Sequence, residues 1–215
     1  MTRTMSPIGS SDLDASRLGL GANTFGWTAD RDTAFAVLDA FVDAGGNFVD
    51  TADSYGRQSY AGASESIIGE WFAARGRRDD VILATKVGSL ADRPGLSAAN
   101  IAAAVDDSLR RMQTDHIDLY WAHKDDPDTP QEETLAAFDE LVRAGKVRAI
   151  GASNFRADRL ASALAISAKE GLAAYVALQP HYNLMERAEF EALLLPCSPS
   201  TACPACPTTG SPGAS

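Results

Sequence analysis

The sequence lacks any long apolar run. Nothing in its 215 residues approaches the ~18 to 20 consecutive apolar positions that a membrane helix needs, which argues against a membrane protein or a membrane partner. The opening MTRTMSPIGSSDLDAS has no continuous apolar core of the kind a secretory signal carries, and this predicts a cytoplasmic protein. Basic residues are scarce: 19 Lys and Arg stand against 29 Asp and Glu, for a net charge of -10. A surface of that sign cannot replace the counterions around a phosphate backbone, so nucleic acid is not an expected partner. Histidine is limited to His116, His123 and His181, which show no local ligand spacing, and no metal is expected. The acidic run Asp125-Asp126-Pro127-Asp128 is explained by the positive end of the helix that follows it. Cysteine is missing until Cys197. All three cysteines (Cys197, Cys203, Cys206) and five of the ten prolines then crowd into the last twenty residues, and no charged residue follows Glu191.

What is present before that point is a repeating unit. From Arg17 to Glu191, short aliphatic or β-branched runs alternate with longer amphipathic stretches, the pattern of parallel strands joined by crossover helices. Arg17 to Gly21 reads as a strand. Ala34, Val37, Leu38 and Phe41 recur at helical spacing, and Gly45-Gly46 supplies a positive-φ stop before the strand Asn47 to Asp50. The alternation continues with a helix over 64–74, a strand over 81–85, and a helix capped by Ser97 and reaching Arg111. A strand over 117–121 precedes Thr129-Pro130-Gln131-Glu132, which reads as a capping box with proline at the first helical position. That helix ends at Gly145. A strand over 147–150, a helix over 157–169, a strand over 175–178 and a short helix from Glu186 complete the series.

Six such units suit either an open doubly wound sheet or a closed eight-stranded barrel. The first strand-helix turn, Gly21-Ala22-Asn23-Thr24-Phe25-Gly26-Trp27, lacks the glycine spacing of a dinucleotide-binding open sheet, which favours the barrel. In a barrel the chemistry sits at the strand C-termini, and those ends carry Asn23 and Thr24, Asp50 and Tyr55, Lys86, His123, Ser153 and Asn154, and Gln179. Any one of these is an ordinary cap or turn residue; six consecutive strands delivering one each is a pattern. The types also work together. A tyrosine can protonate a carbonyl near neutral pH if a cation such as Lys86 stabilises its phenolate, a buried lysine needs a carboxylate such as Asp50, and His123 could orient the substrate oxygen. None of them can supply a hydride, so a reduction requires a bound cofactor. Trp27, Tyr60 and Trp121 are candidate walls of a substrate pocket and equally ordinary packing residues.

The strings Phe48-Val49-Asp50-Thr51-Ala52-Asp53-Ser54-Tyr55-Gly56, Gly62-Ala63-Ser64-Glu65-Ser66-Ile67-Ile68-Gly69, Ala84-Thr85-Lys86-Val87, Asp118-Leu119-Tyr120-Trp121-Ala122-His123 and Gly145 to Phe155 resemble the aldo-keto reductases, from about Leu18 to Leu195. The resemblance implies a (β/α)8 TIM barrel that is incomplete, with about six strand-helix units over 1–195. It implies an oxidoreductase that reduces an aldehyde or ketone with hydride from NADPH. Its catalytic set maps onto Asp50, Tyr55, Lys86 and His123, with Tyr55 as general acid. Thr24, Asp50, Ser153, Asn154 and Gln179 match cofactor-facing positions, the last three those that bind the nicotinamide carboxamide. Ser64 and Glu65 fall in a motif with a structural role.

Residues 196–215 depart from the family, whose complete members continue through two more strand-helix units. Five prolines in that span rule out a central strand or helix interior and predict a disordered tail. A change of reading frame near Leu195 is the expectation, and resequencing around that codon tests it. Two other readings compete. The resemblance extends to potassium-channel β-subunits, which points to a nucleotide-sensing subunit or a weakly active fragment. A barrel hydrolase or lyase with Lys86 as nucleophile would leave Tyr55 and His123 without a role. The sequence names neither the physiological carbonyl nor an oligomeric state.

Overall fold

The computed structural model describes residues 5–56, 60–188 and 190–194. The chain opens with an antiparallel hairpin, β1 (Met5–Pro7) and β2 (Asp14–Ser16), where no element is legible from periodicity because each strand has only three residues. β3 (Gly19–Gly21), α1 (Arg31–Asp43), β4 (Phe48–Asp50), α2 (Ala63–Arg75) and β5 (Ile82–Val87) follow. A small antiparallel pair, β6 (Ser89–Leu90) and β7 (Arg93–Pro94), leads into α3 (Ala98–Met112). Then come β8 (Ile117–Ala122), α4 (Gln131–Arg143), β9 (Val147–Ser153), α5 (Ala157–Glu170) and β10 (Tyr175–Gln179).

Local chemistry sets the boundaries. Asp30 caps α1 by accepting from the Thr33 N–H, and Ser97 caps α3 by accepting from that of Asn100. α1 is stopped as expected, with Gly45 at φ 96 just past the C-cap Ala44. Two expectations are corrected. The capping box at Thr129 does not form: Pro130 is the N-cap of α4 and gives no side-chain cap, while the Thr129 hydroxyl donates to Asp126 Oδ2 at 2.7 Å. The helix expected from Glu186 appears later, as a π-helical turn at Phe190–Leu194; residues 184–186 form a bend in which the Asn183 side chain accepts from the N–H groups of Met185 and Glu186.

β3, β4, β5, β8, β9 and β10 form one parallel sheet in which spatial order equals chain order. A doubly wound sheet reverses direction at a switch point; this one never does, so all crossovers lie on one face and the sheet curls with its helices outside. The result is an incomplete (β/α)8 barrel of six strands among the described residues, as expected from the sequence. Residues 196–215, their expected disorder and the expected frame change lie outside the described residues.

Side chains alternate between two cores. Val49, Leu83, Tyr120, Ile150 and Leu178 pack outward against the helices. Phe48, Ile82, Ala84, Leu119, Trp121, Ala149 and Ala177 pack inward, joined by Ile8, Leu13 and Ala15 of the hairpin, which plugs the lower mouth. Leu13 is 1% exposed, a burial worth about 1.5–3 kcal/mol. Register breaks once, between Tyr175 and Ala177. The extra residue at this bulge leaves both Val176 and Ala177 against the inner core, so that Leu178 turns outward and Gln179 inward. The plug touches the same place: a Cβ on Gly9 would stand 1.7 Å from the Val176 carbonyl oxygen.

Candidate active site

The upper end of the lumen is polar. Asp50 closes β4, Lys86 lies one residue before the end of β5, and Ser153 and Gln179 close β9 and β10. Tyr55 comes from the loop after β4, and His123 follows β8 directly, with its N–H donating to the Val87 carbonyl at 2.9 Å. Parallel pairing with sequential order brings these six positions to one rim.

Lys86 is the centre. It is 1% exposed, and its ammonium donates to Asp50 Oδ2 at 2.5 Å, to the Thr51 carbonyl at 2.8 Å and to the Tyr55 hydroxyl at 3.3 Å. Nζ also lies 4.8 Å from the centre of the Tyr55 ring. Burial works against its charge, but the Asp50 carboxylate, by charge and by hydrogen bond, and Tyr55 more than offset this and raise its pKa above the usual lysine value. Lys86 is therefore a fixed cation. The Tyr55 and His123 rings meet edge to face, 5.8 Å apart at 84°. His123 is driven down to about 3, first by burial and then by the charges of Lys86 and Lys124, so it is a neutral imidazole at all ordinary pH. Two buried atoms at this rim, Asp50 Oδ1 and His123 Nδ1, have no hydrogen-bond partner among the described residues. Such atoms normally find one, and a ligand seated in the rim would supply it.

The other expected residues are placed unevenly. Ser153 is buried and its hydroxyl donates to the Gln179 carbonyl at 2.9 Å. Asn154, at φ 56, donates its amide to Ser153 Oγ at 3.0 Å and to the His123 carbonyl at 2.9 Å. Gln179 is buried and its amide donates to Asp50 Oδ2 at 3.3 Å, tying the last strand to the Lys86 pair. Thr24 stands apart, half-buried in the loop before α1, where its carbonyl accepts from the N–H groups of Trp27, Thr28 and Ala29. Of the three aromatic candidates, Trp27 and Tyr60 are 53% and 55% exposed, whereas Trp121 belongs to the inner core.

Sequence reasoning named Ser64 and Glu65 as structural but not the groups they hold. The Thr51 hydroxyl lies 2.8 Å from that of Ser64, which donates to the Ala22 carbonyl, so the loops after β3 and β4 are pinned to the start of α2. Glu65, wholly buried, accepts from Thr85 Oγ1 and from Arg111 Nε, each at 2.6 Å. A glutamate in the first turn of a helix with so many apolar neighbours was the available signal; its arginine, 46 residues away, had none. Among the described residues no group of three or more His, Cys, Asp or Glu could hold a metal ion, and no helix is long and apolar enough to cross a membrane.

Comparison with known proteins agrees with this geometry. The family model for the aldo/keto reductase family matches residues 17–198. An uncharacterised oxidoreductase of Bacillus subtilis (strain 168), YrpG, is 44% identical over 196 residues, covering 86% of this chain and 60% of the relative. The aldo-keto reductase YhdN of the same organism is 40% identical over 197 residues, covering 88% and 56%. A probable voltage-gated potassium channel subunit beta of Oryza sativa subsp. japonica is 34% identical over 194 residues, covering 88% and 58%. The chain thus spans less than two thirds of the length of each.

Proposed function

This chain belongs to the aldo/keto reductase family, and on that premise we propose that it carries the chemistry of a carbonyl reductase acting on a small aldehyde or ketone. The observation that carries the reading is the Lys86 ammonium held between Asp50 Oδ2 at 2.5 Å and the Tyr55 hydroxyl at 3.3 Å. NADPH, when bound, supplies the hydride that such a reduction needs. The residues present fit its nicotinamide end. Ser153, Asn154 and Gln179 gather on one side of the rim with amide and hydroxyl groups suited to a carboxamide, and Asp50 Oδ1 has no hydrogen-bond partner among the described residues.

The chain's own groups then handle the proton. Tyr55 donates its hydroxyl proton to the carbonyl oxygen, and the neighbouring ammonium of Lys86 stabilises the negative charge left on the phenolic oxygen. Asp50 keeps Lys86 charged in a buried place where it would otherwise lose its proton. His123, being neutral, offers a ring N–H to the same carbonyl oxygen and orients it without adding a second positive charge beside Lys86.

The likeness to the rice channel subunit supports a second reading, in which the same rim binds the nucleotide and serves as a sensor. One experiment separates the two. The purified chain is mixed with NADPH and a nitrobenzaldehyde, and cofactor absorbance is followed. Turnover that is abolished by Tyr55→Phe supports the reductase; binding without turnover favours the sensor; turnover unaffected by Tyr55→Phe overturns the assigned acid.

A further inference from the structure

Behind Lys86 and Tyr55, on the outer side of the same sheet, lies a second buried polar cluster that this chemistry does not use. Thr85 points outward where Lys86 points inward, and it is held by Glu65, which Arg111 also grips. That part of the cluster is complete. Asp53 is not. It is 2% exposed, on the loop between Asp50 and Tyr55, and its N–H donates to the Lys86 carbonyl at 3.2 Å. Its Oδ1 has no hydrogen-bond partner among the described residues, and neither has the buried hydroxyl of Tyr120. The charges of several elements act on Asp53: the Glu65 carboxylate of α2 opposes its ionisation, Arg111 of α3, Arg93 of β7 and Lys86 of β5 favour it, and Asp53 in turn opposes ionisation of the Tyr120 phenol of β8.

We propose that Asp53 is a positioning residue for Lys86 and Tyr55 that works by holding a proton: neutral, it lets the loop 51–56 pack closely on β5; ionised, its proton lost to solvent, it sets a second carboxylate against Glu65 in the same buried space and loosens that loop. The physical reason is that a buried charge short of hydrogen bonds is far more costly than a buried neutral acid. Burial first, and the charge of Glu65 second, raise Asp53 to about 7, against the pull of Arg111, Arg93 and Lys86, so the change falls near neutrality. The inference rests on the reading of Lys86 and Tyr55 as a proton-donating pair.

Its test needs no turnover. Amide hydrogen exchange of the 215-residue chain is measured at pH 6 and pH 8 and corrected for the intrinsic pH dependence. If loop opening exposes Asp53 to water, the opening equilibrium of the 51–56 peptide rises about tenfold between these two values by proton linkage, while peptides of α5 stay level. Asp53→Asn abolishes the rise, and Glu65→Gln, which removes the facing negative charge, moves it to lower pH. A tenfold rise that survives in Asp53→Asn, or a loop equally protected at both pH values in the parent chain, overturns the proposal. Should Asp53→Asn not fold, a Glu65→Gln chain whose transition stays in place does so too. A loop that titrates as expected in a chain with no aldehyde turnover counts for Asp53 and against the reductase reading, so the two fail separately.

Discussion

The two ends of the lumen are built from the same strands and behave as opposites. At the lower end Phe48, Ile82, Leu119 and Ala149 meet Ile8, Leu13 and Ala15 of the plug in an apolar core. Two to four residues further along those strands and their neighbours stand Asp50, Lys86, Ser153 and Gln179, buried polar groups of which Asp50 keeps one oxygen without a partner among the described residues. The lower end stabilises the barrel by removing apolar surface from water, and the upper end keeps polar groups in readiness at the expense of some stability. A change at one end should therefore leave the other end's property intact.

The largest effect is expected at the top. Tyr55→Phe should lower turnover by roughly 10²–10⁴-fold through loss of the proton donor, with an unfolding midpoint equal to that of the parent chain. An equally large loss of stability would mean that the rim is structural and break the contrast. At the bottom, Phe48→Ala should lower unfolding free energy in urea by about 3–5 kcal/mol without changing the pH dependence of turnover. Gly9→Ala probes the place where the halves touch. Positive φ and the Val176 carbonyl both oppose a side chain there, so a stability loss above about 1 kcal/mol is expected, and the displaced bulge should raise the KM for NADPH through Gln179 more than it lowers kcat. The smallest change is Ser97→Ala, half-buried at the start of α3, which should cost about 1 kcal/mol through the lost cap and leave turnover untouched.

Stability against pH separates the rim from the cluster behind it. His123, lowered to about 3 in the fold, binds fewer protons there than in the unfolded chain, so its contribution is present above the usual histidine range and is lost as pH falls from about 6.5 toward 3. Asp53, raised to about 7, acts in the opposite sense: the folded chain binds the extra proton, and stability falls as pH rises from about 4 through 7. The two slopes oppose each other between about pH 4 and 6.5. Asp53→Asn should therefore leave a melting temperature that climbs with pH across this range, and His123→Gln one that declines, both visible in calorimetric scans.

Much of this was legible in the chain itself. Strands with Val, Ile and Leu at alternate positions and helices such as α1 with Ala34 and Leu38 on the buried face announce themselves by period, and each strand's polar terminus can be named without a structure. The hairpin could not be, since three-residue strands carry no period, and Thr129 looked like a cap until Asp126 engaged it. Asp53 carried no signal of its own beside Tyr55. Only the tertiary structure shows that it is buried and under the influence of Glu65, Arg111 and Arg93.

Periodicity, turn chemistry and residue type are local properties, so the alternation of strand and helix and the polar residues at the strand ends follow from the chain's order of residues. The tertiary structure alone decided which groups touch: that Lys86 bridges Asp50 and Tyr55, that a bulge turns Gln179 inward, and that Glu65 meets an arginine 46 residues away. Register, bulges and burial arise from pairing distant segments around one core, and they set both the charge a group carries and the partner it finds.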